Sequence, residues 1–253
     1  MTDENGTEPD LLYHDPDLVQ FYDLENEGGA DFSFCLDMAR DARSVLDLGC
    51  GTGQLVAALS DGRHATGVDP AGPMLDVARR RPSGPEAEWI EADARSLRLD
   101  RRYDLVLLTG HAFQVFLTRD DQLAVLQTIA HHLAPEGRFL FDTRNPAARE
   151  WEEWTPEGSR RGFDHPALGR IEAWNDIERD AATGIVTYET FYRADSAGRL
   201  FKASSRIAFP DRETVAALIG EAGLHVDRWL GDWRGGPWSE DSPEIIPVGR
   251  LAS

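Results

Sequence analysis

The sequence predicts an α/β protein whose core is a doubly wound, mostly parallel seven-stranded sheet with helices on both faces and an antiparallel β insert. Two observations lead to this fold class. Short apolar runs alternate with segments of helical periodicity over residues 44–141, which is the pattern of βαβ units in a parallel sheet. From about residue 145 the apolar residues alternate with a period of two between short glycine-bearing turns, which is typical of an antiparallel meander.

The parallel part begins with a strand, a glycine turn and a helix, and the alternation then repeats. Strands are predicted at 44–48, 65–68, 87–91, 103–108 and 138–141, and helices at 54–60, 73–81 and 120–133. The last of these helices has apolar side chains at helical spacing, and Pro135 and Gly137 should end it. We expect His131 and His132 to lie on its solvent-facing side.

The remaining elements divide the chain into three parts. Strands are predicted at 170–178, 185–193 and 200–208 with turns at 180–184 and 195–198, then a helix at 211–222 and strands at 224–230 and 245–248. Because the meander precedes the last helix and strands of the sheet, it is an insert and not a second domain. Before the sheet, two short helices should flank a hinge at Gly28 and Gly29. We therefore predict an N-terminal helical segment (1–43), a core (44–149 and 208–253) and an inserted β segment (150–207).

Composition limits the partners. The 253 residues carry 26 basic and 45 acidic side chains, a net charge of −19, which opposes docking on a phosphate backbone, so we expect no nucleic acid partner. No stretch approaches the roughly 18 apolar residues of a membrane span, and the first ten residues lack the apolar region of an export signal. Cys35 and Cys50 are too few for a disulfide framework and lack metal-ligand spacing. We expect a cytoplasmic protein without a membrane partner.

The most informative motif is the glycine turn that follows the first strand. Residues 45–53 read VLDLGCGTG, a strand running into G-x-G-x-G at the start of a helix, where a ligand can lie against bare backbone amides. A dinucleotide fingerprint needs one more glycine, and Gln54 occupies that position. Asp47 ends the strand and should face the ligand, where a carboxylate favours a cationic partner over a pyrophosphate. The motif therefore favours a sulfonium-bearing amino acid nucleoside.

Two further acids follow the next two strands. Asp69 ends the second strand, where the ribose-binding acid of a Rossmann-type fold belongs. Asp93 follows the third strand and can accept a hydrogen bond from an exocyclic adenine amine. Asp47, Asp69 and Asp93 thus form one row along the carboxyl edge of the predicted sheet.

Taken together, these motifs resemble those of class I S-adenosylmethionine-dependent methyltransferases over residues 40–145. The matching segments are VLDLGCGTG at 45–53, GVD at 67–69 followed by Met74 and Leu75, EADA at 91–94, YDLV at 103–106 and LAPEGR at 133–138. The resemblance implies S-adenosylmethionine as the cofactor, S-adenosylhomocysteine as the product, and a last strand that inserts antiparallel between earlier ones.

The resemblance also implies roles for individual residues. The methionine moiety lies over the turn that contains Gly49, Cys50, Gly51 and Gly53, and the ribose lies on Asp69. The adenine lies between Pro70 and Met74 on one side and Asp93 and Ala94 on the other, with Thr109 near the sulfonium. In many relatives the N-terminal segment is a lid over the cofactor. We assign Tyr22 to the cofactor and Tyr13 to the substrate, with packing as the alternative for each.

The substrate should lie beyond the fourth and fifth strands. His111 can act as a general base because its unperturbed pKa lies near the operating pH, with shaping of the cofactor pocket as the alternative. Phe113 can contact the substrate, and Arg144 can bind an anionic one. We find no clustered acids for a metal at this rim and predict no metal ion.

These observations predict methyl transfer to an oxygen or nitrogen atom of a small molecule, held under a cap formed by residues 150–207. Two alternatives stay open at this point: a nicotinamide-dependent oxidoreductase on a similar sheet, and a non-catalytic protein that binds S-adenosylmethionine. The sequence leaves the oligomeric state open.

Overall fold

The computed structural model describes residues 10–194 and 198–252. Residues 1–9, at which we predicted no export signal, and 195–197 of the predicted turn lie outside this range. The chain forms two compact units. One comprises the described residues of Met1–Glu27 and Glu150–Ile207, and the other those of Gly28–Arg149 and Ala208–Ser253. The first division therefore falls after residue 27, whereas the predicted one fell after residue 43.

The larger unit is built on a mixed sheet. Its strands are β1 (Ser44–Leu48), β2 (His64–Asp69), β3 (Glu88–Glu91), β4 (Tyr103–Leu108), β5 (Leu133–Phe141), β6 (Thr143–Arg144), β11 (Leu224–Leu230) and β12 (Glu244–Leu251). The order is β11-β12-β5-β4-β1-β2-β3, and the short β6 pairs with β12. All neighbours from β5 to β3 are parallel, while β12 runs antiparallel to both β5 and β11. The predicted fold class and the antiparallel last strand are confirmed.

In the described part of the chain, five α-helices accompany this sheet and pack against it or against one another. They are α4 (Ala30–Met38), α5 (Gln54–Leu59), α6 (Gly72–Ala78), α7 (Arg119–His132) and α8 (Arg212–Glu221). Thr118 caps α7 by accepting the Asp121 N–H at 3.1 Å, and Asp211 caps α8 by accepting the Thr214 N–H at 2.7 Å, each satisfying a free amide of the first turn. The central strands β1 and β4 are buried almost throughout, as expected for a parallel sheet covered on both faces.

Two details at the end of α7 differ from the prediction. The helix ends at His132 and β5 begins at once, so Pro135 and Gly137 lie in the strand, in an irregular stretch between two pairing registers with β4. His132 was expected to face solvent but is fully buried. Its Nε2 accepts the Leu99 N–H at 2.9 Å and its Nδ1 donates to the Thr128 carbonyl at 2.8 Å. Burial lowers the pKa of His132 and so favours the neutral ring. Both ring nitrogens are therefore used in hydrogen bonds to the backbone. His131 is exposed, as expected.

The described residues of the smaller unit form a four-stranded antiparallel sheet and three short α-helices. The strands β7 (Arg161–His165), β8 (Gly169–Arg179), β9 (Val186–Ala194) and β10 (Arg199–Ile207) lie in the order β10-β9-β8-β7, and the helices are α1 (Leu11–His14), α2 (Pro16–Val19) and α3 (Tyr22–Glu25). Phe21 is fully buried and packs with one face of the sheet, stacking on Tyr192 with ring centroids 4.4 Å apart. The three predicted strands are confirmed, and β7 was not predicted.

Within the described residues, no helix combines the length and apolar character needed to cross a membrane.

Candidate functional site

The turn after β1 requires glycine for its backbone conformation. Gly49, Gly51 and Gly53 all have positive φ angles, of 69°, 54° and 72°, a region that is costly for residues with a Cβ atom. The N–H groups of Gly49 and Cys50 donate to the Val68 carbonyl at 2.8 and 3.0 Å, so the turn is fixed to the end of β2. The result is a tight glycine turn held at the carboxyl edge of the sheet.

One of these glycines is also required by packing. A Cβ atom on Gly53 would lie 2.4 Å from Cη2 of Trp89 and 2.7 Å from the Ala78 Cβ. Trp89 on β3 is itself held by a 2.7 Å hydrogen bond from its indole N–H to the Gly84 carbonyl. Gly53 therefore permits the close contact between the turn and β3, which the spacing of glycines in the sequence does not reveal.

Asp47 is a buried acid without a complete set of partners. Its side chain is in β1 just before the turn, only 3% exposed, and its Oδ1 has no hydrogen-bond partner in the described structure. Burial, and secondarily the nearby Asp69, raise the pKa of Asp47 to about 8. A carboxyl group in this state is stabilised by a cation that reaches it.

Asp69 links the end of β2 to the glycine turn. Its Oδ2 accepts the Gly51 N–H at 2.8 Å and its Oδ1 accepts the Ala71 N–H at 2.9 Å. The side chain is 8% exposed. Asp69 thus fixes the glycine turn to the residues that follow β2.

The predicted adenine residues have mixed surroundings. Met74 and Ala94 are buried, and Pro70 is exposed. Both oxygens of Asp93 accept hydrogen bonds from the Arg95 guanidinium, at 3.0 and 2.5 Å. Burial alone would raise the pKa of Asp93, but the hydrogen bonds from Arg95 outweigh it and leave the pKa lowered. Arg95, which the sequence analysis did not single out, thus holds Asp93 in its charged form.

His111 is at the centre of a cluster that the sequence analysis did not find. It follows β4 with a left-handed backbone (φ 61°), and its backbone N–H donates to Asp142 Oδ2 at 3.0 Å. Its Nε2 lies 3.0 Å from Glu244 Oε1 and 3.3 Å from Asp142 Oδ2. Asp142 follows β5, and Glu244 begins β12, which runs antiparallel and so starts at the same edge. Three strand ends therefore bring these side chains together.

The cluster is buried and contains unused acceptors. The Asp142 and Glu244 side chains are 1% and 13% exposed, and Asp142 Oδ1 and Glu244 Oε2 have no hydrogen-bond partner in the described structure. Burial alone would lower the pKa of His111, but the two carboxylates outweigh it and leave the pKa raised. Burial raises the pKa of Asp142 to about 6. His111 is thus favoured as an imidazolium between two carboxylates.

This arrangement corrects the expectation that no clustered acids lie at the rim. One ligand atom from each of His111, Asp142 and Glu244 lies within 4.8 Å of the others, so the three side chains can hold a divalent cation as well as a protonated amine. The signal that could have found them is their position after β5 and before β12, once the antiparallel last strand is assumed.

The other predicted substrate residues are placed as follows. Phe113 is fully buried in the core and packs on Phe141 with centroids 4.6 Å apart, so the expected substrate contact is corrected to core packing. The Arg144 guanidinium donates to Gln114 Oε1 at 2.9 Å. Thr109 follows β4 and is half-buried. Tyr13 and Tyr22 belong to the smaller unit.

Comparisons with known proteins agree with this architecture. A family model described as a methyltransferase domain matches residues 45–137. A cypemycin N-terminal methyltransferase from Streptomyces sp is 27% identical over 245 residues, covering 94% of this chain and 98% of that protein. A ubiquinone/menaquinone biosynthesis C-methyltransferase from Desulfotalea psychrophila is 30% identical and covers 73% of this chain and 72% of that protein. The solved structure of the sugar N-methyltransferase KedS8 from Streptoalloteichus sp superposes with a TM-score of 0.75 at 20% identity, over 100% of this chain and 99% of that one.

These similarities extend beyond the glycine turn to nearly the whole chain, and each named relative is a methyltransferase. The oxidoreductase and the non-catalytic alternatives are therefore set aside. The chain belongs to the class I S-adenosylmethionine-dependent methyltransferases and is an enzyme that uses S-adenosylmethionine as its methyl donor.

Proposed function

We propose that this enzyme methylates a nitrogen atom of a small-molecule amine. The observation that carries the proposal is the cluster in which His111 lies between Asp142 and Glu244, with one oxygen of each acid unused and shielded from water. Buried carboxylate oxygens of this kind are satisfied by N–H donors of a cationic group. An amine in its ammonium form supplies those donors.

The larger unit also fits the cofactor that the family uses. Asp47 and Asp69 are two buried acids beside the glycine turn, and the Asp47 oxygen that has no hydrogen-bond partner in the described structure suits the ammonium group of a methionine moiety. Asp69, at the end of β2 beside the turn, is the acid that would accept the ribose hydroxyls. We keep the predicted cofactor residues of the larger unit as part of the proposal: Asp47, Gly49, Cys50, Gly51, Gly53, Asp69, Pro70, Met74, Asp93, Ala94 and Thr109.

An amine acceptor suits this cluster better than a hydroxyl. A hydroxyl must lose its proton to a base as it attacks, and the two carboxylates, by raising the pKa of His111, reduce the fraction of His111 that has a free nitrogen lone pair at a given pH. A neutral amine attacks with its own lone pair. The amine must be oriented towards the methyl group, and its ammonium form must first lose a proton to an acceptor. Orientation alone lowers the activation barrier by roughly 7–11 kcal/mol in favourable cases.

The proton and electron changes can be assigned to this chain's residues. The sulfonium of the bound cofactor supplies an electrophilic methyl group. Asp142, with a pKa of about 6, accepts one ammonium proton at Oδ1, and Glu244 Oε2 accepts a hydrogen bond from a second N–H. The amine lone pair would then form the N–C bond while the C–S bond breaks, and the electron pair of the C–S bond would stay on sulfur. His111 positions both carboxylates and balances their charge; the base role first expected of it passes to Asp142.

Two further observations support the choice of a small amine. The cypemycin relative, which is similar to this chain along nearly its whole length, is named for methylation of an N-terminus. The net charge of −19 disfavours phosphate-rich partners and attracts cationic amines to the surface. The same charge and the free thiols of Cys35 and Cys50 support our proposal of a cytoplasmic enzyme without a nucleic acid partner.

The proposal is tested with matched pairs of acceptors. The purified protein is incubated with S-adenosylmethionine carrying an isotopically labelled methyl group and with amino sugars, peptides with free N-termini, and the corresponding hydroxyl or N-acetyl compounds. We expect label on the amines alone, undiminished by EDTA. Transfer only to hydroxyl or carbon atoms would refute the nitrogen assignment, and loss of transfer with EDTA that Mg²⁺ restores would show that the cluster holds a metal.

A further inference from the structure

The smaller unit contains a groove of about 480 Å³ along β7, β8 and the adjoining part of β9. This volume is in the range of small-molecule sites, roughly 300–1,000 Å³. Four arginines and one acid give its lining a net charge of +3, although the whole chain carries −19. The groove, here called the arginine groove, is lined in part by Arg160, Arg161, Gly162, Arg170, Glu172 and Arg193.

The pairing of the strands explains why most of these side chains meet. Gly162 on β7 and Arg193 on β9 are both register partners of Glu172 on β8, so the three residues form one row across the sheet. Arg170 lies two residues before Glu172 and therefore on the same face, because side chains alternate along a strand. Ile171 between them belongs to the core of this unit. The row thus faces away from that core.

Two of the arginines are held in place by the same two side chains. Arg160 Nη1 and Arg193 Nη2 donate to the two oxygens of Glu172, and both guanidinium carbons lie 5.6 Å from the centroid of the Trp174 ring. Trp174 in turn stacks on Phe191 with ring centroids 5.2 Å apart. The arginine side chains are 49% and 51% exposed. Because a guanidinium has five N–H donors, each can bind a ligand while Glu172 and Trp174 fix its position.

Arg170 adds a third guanidinium to this face. Its ion pair with Asp164 is 3.6 Å long, and the two side chains are 55% and 83% exposed, so the pair constrains Arg170 little. A Cβ atom on Gly162 would lie 2.6 Å from Arg170 Nη2, which shows that the guanidinium uses the space that the glycine leaves. Arg161 instead donates to Glu25 and is held by that contact. Arg160, Arg170 and Arg193 are therefore the arginines that can bind a ligand.

We propose that the arginine groove binds a phosphoryl group. A guanidinium matches two phosphate oxygens with two parallel hydrogen bonds, and a phosphate has more oxygens and more charge to share among three arginines than a carboxylate has. The acidity of the whole chain opposes long polyanions. Charges on the surface are screened beyond about 8 Å at physiological ionic strength, so a small anion responds mainly to the groove itself.

Calorimetric titration of the full-length protein with inorganic pyrophosphate tests the proposal. Inorganic phosphate and acetate are titrated at the same ionic strength. We expect pyrophosphate to bind more tightly than phosphate, and acetate to bind more weakly than both. No binding of either phosphate compound, or binding of acetate as tight as that of phosphate, would overturn the proposal. Phenyl phosphate then separates the two sources of the group: tighter binding than inorganic phosphate supports an organic phosphate as the ligand, and equal binding supports the free anion.

Variants locate the binding in the arginine groove. Arg170→Gln and Arg193→Gln should each weaken pyrophosphate binding about tenfold, because each removes a charged hydrogen-bond donor. The matched control is Arg206→Gln, since Arg206 is an exposed arginine on β10 outside the groove and its loss changes the net charge equally. Gly162→Val should also weaken binding, at unchanged net charge, because its side chain would displace the Arg170 guanidinium.

Circular dichroism and melting curves check that each variant folds. Equal weakening by Arg206→Gln and by Arg193→Gln would mean that only the net charge matters, and would overturn the proposal. An unchanged affinity of Gly162→Val would place the binding elsewhere and would overturn it as well.

This inference goes beyond the proposed function and does not rest on it. Pyrophosphate binding is measured with neither a methyl donor nor an acceptor present. If pyrophosphate binds through the arginines but methyl transfer occurs only to oxygen or carbon, the phosphoryl site stands and the nitrogen acceptor is wrong. If amines are methylated but pyrophosphate does not bind, the nitrogen acceptor stands and the arginine groove is not such a site.

Discussion

Asp47→Asn should stabilise the protein while weakening cofactor binding. The unfolded chain loses the Asp47 proton above the ordinary pKa of 3.8, but the folded protein keeps it up to about pH 8. The folded state therefore binds more protons, and stability falls as pH rises between these values. About 3 pH units separate the unfolded-state pKa of 3.8 from pH 7, and each unit changes the free energy of unfolding by about 1.4 kcal/mol. At pH 7 the raised pKa of Asp47 therefore lowers the free energy of unfolding by about 4 kcal/mol. The buried amide of the variant costs about 1–3 kcal/mol, which leaves a net gain of about 2 kcal/mol.

Urea unfolding between pH 5 and pH 7 tests this reasoning. The stability difference between Asp47→Asn and the wild type should grow by about 3 kcal/mol over this range, since other titrating groups are common to both proteins. S-adenosylhomocysteine should bind more weakly to the variant. Asp104→Asn is the control: Asp104 Oδ2 accepts the Arg43 and Ser44 N–H groups at 2.8 and 3.1 Å, so its loss should bring no gain in stability and no loss of binding. A pH-independent difference for Asp47→Asn would refute the argument.

Three further predictions concern the glycine turn, the proposed ribose-binding acid Asp69 and the cluster at the rim. Gly53→Ala should lower the free energy of unfolding, measured in urea, by about 3 kcal/mol, because it combines a positive φ with a steric clash. Gly62→Ala, with a φ of 70° but nothing within 4 Å, should lower it by only about 1 kcal/mol. Equal losses for the two variants would contradict the packing argument. Asp69→Ala should weaken S-adenosylhomocysteine binding about tenfold or more, measured by calorimetry, as expected for lost charged hydrogen bonds; an unchanged dissociation constant would remove it from the site. Glu244→Gln should lower the pKa of His111, seen by NMR titration of its ring proton; an unchanged titration would mean that Glu244 does not hold the imidazolium.

The parallel sheet was predictable because its signals are local. The glycine turn, Asp47 and Asp69 lie within 23 residues, counted inclusively from 47 to 69, and one βαβ unit fixes their relative positions. The cluster of His111, Asp142 and Glu244, here called the carboxylate cluster, was not predictable in the same way. His111 and Glu244 are 133 residues apart, and only the antiparallel insertion of β12 beside β5 brings Glu244 to the rim.

Other differences arise where tertiary contacts override a local pattern. His132 is buried, and its ring accepts a hydrogen bond from the Leu99 N–H. This contact spans 33 residues, so helical periodicity cannot reveal it. Phe113 follows β4 where substrate contacts were expected, but its ring fills the core beside Phe141. Strand β7 was missed because residues 161–165 are mostly polar and pair with β8 through backbone groups.

The measurement that most directly tests nitrogen methylation at the carboxylate cluster is a transfer reaction from ¹³C-methyl S-adenosylmethionine to a ¹⁵N-labelled amine, followed by NMR. We expect a directly bonded ¹³C–¹⁵N pair in the product of the wild type. Asp142→Asn should greatly slow its formation while S-adenosylhomocysteine binding is retained. Transferred label without a ¹³C–¹⁵N bond, or full activity of Asp142→Asn, would contradict the account.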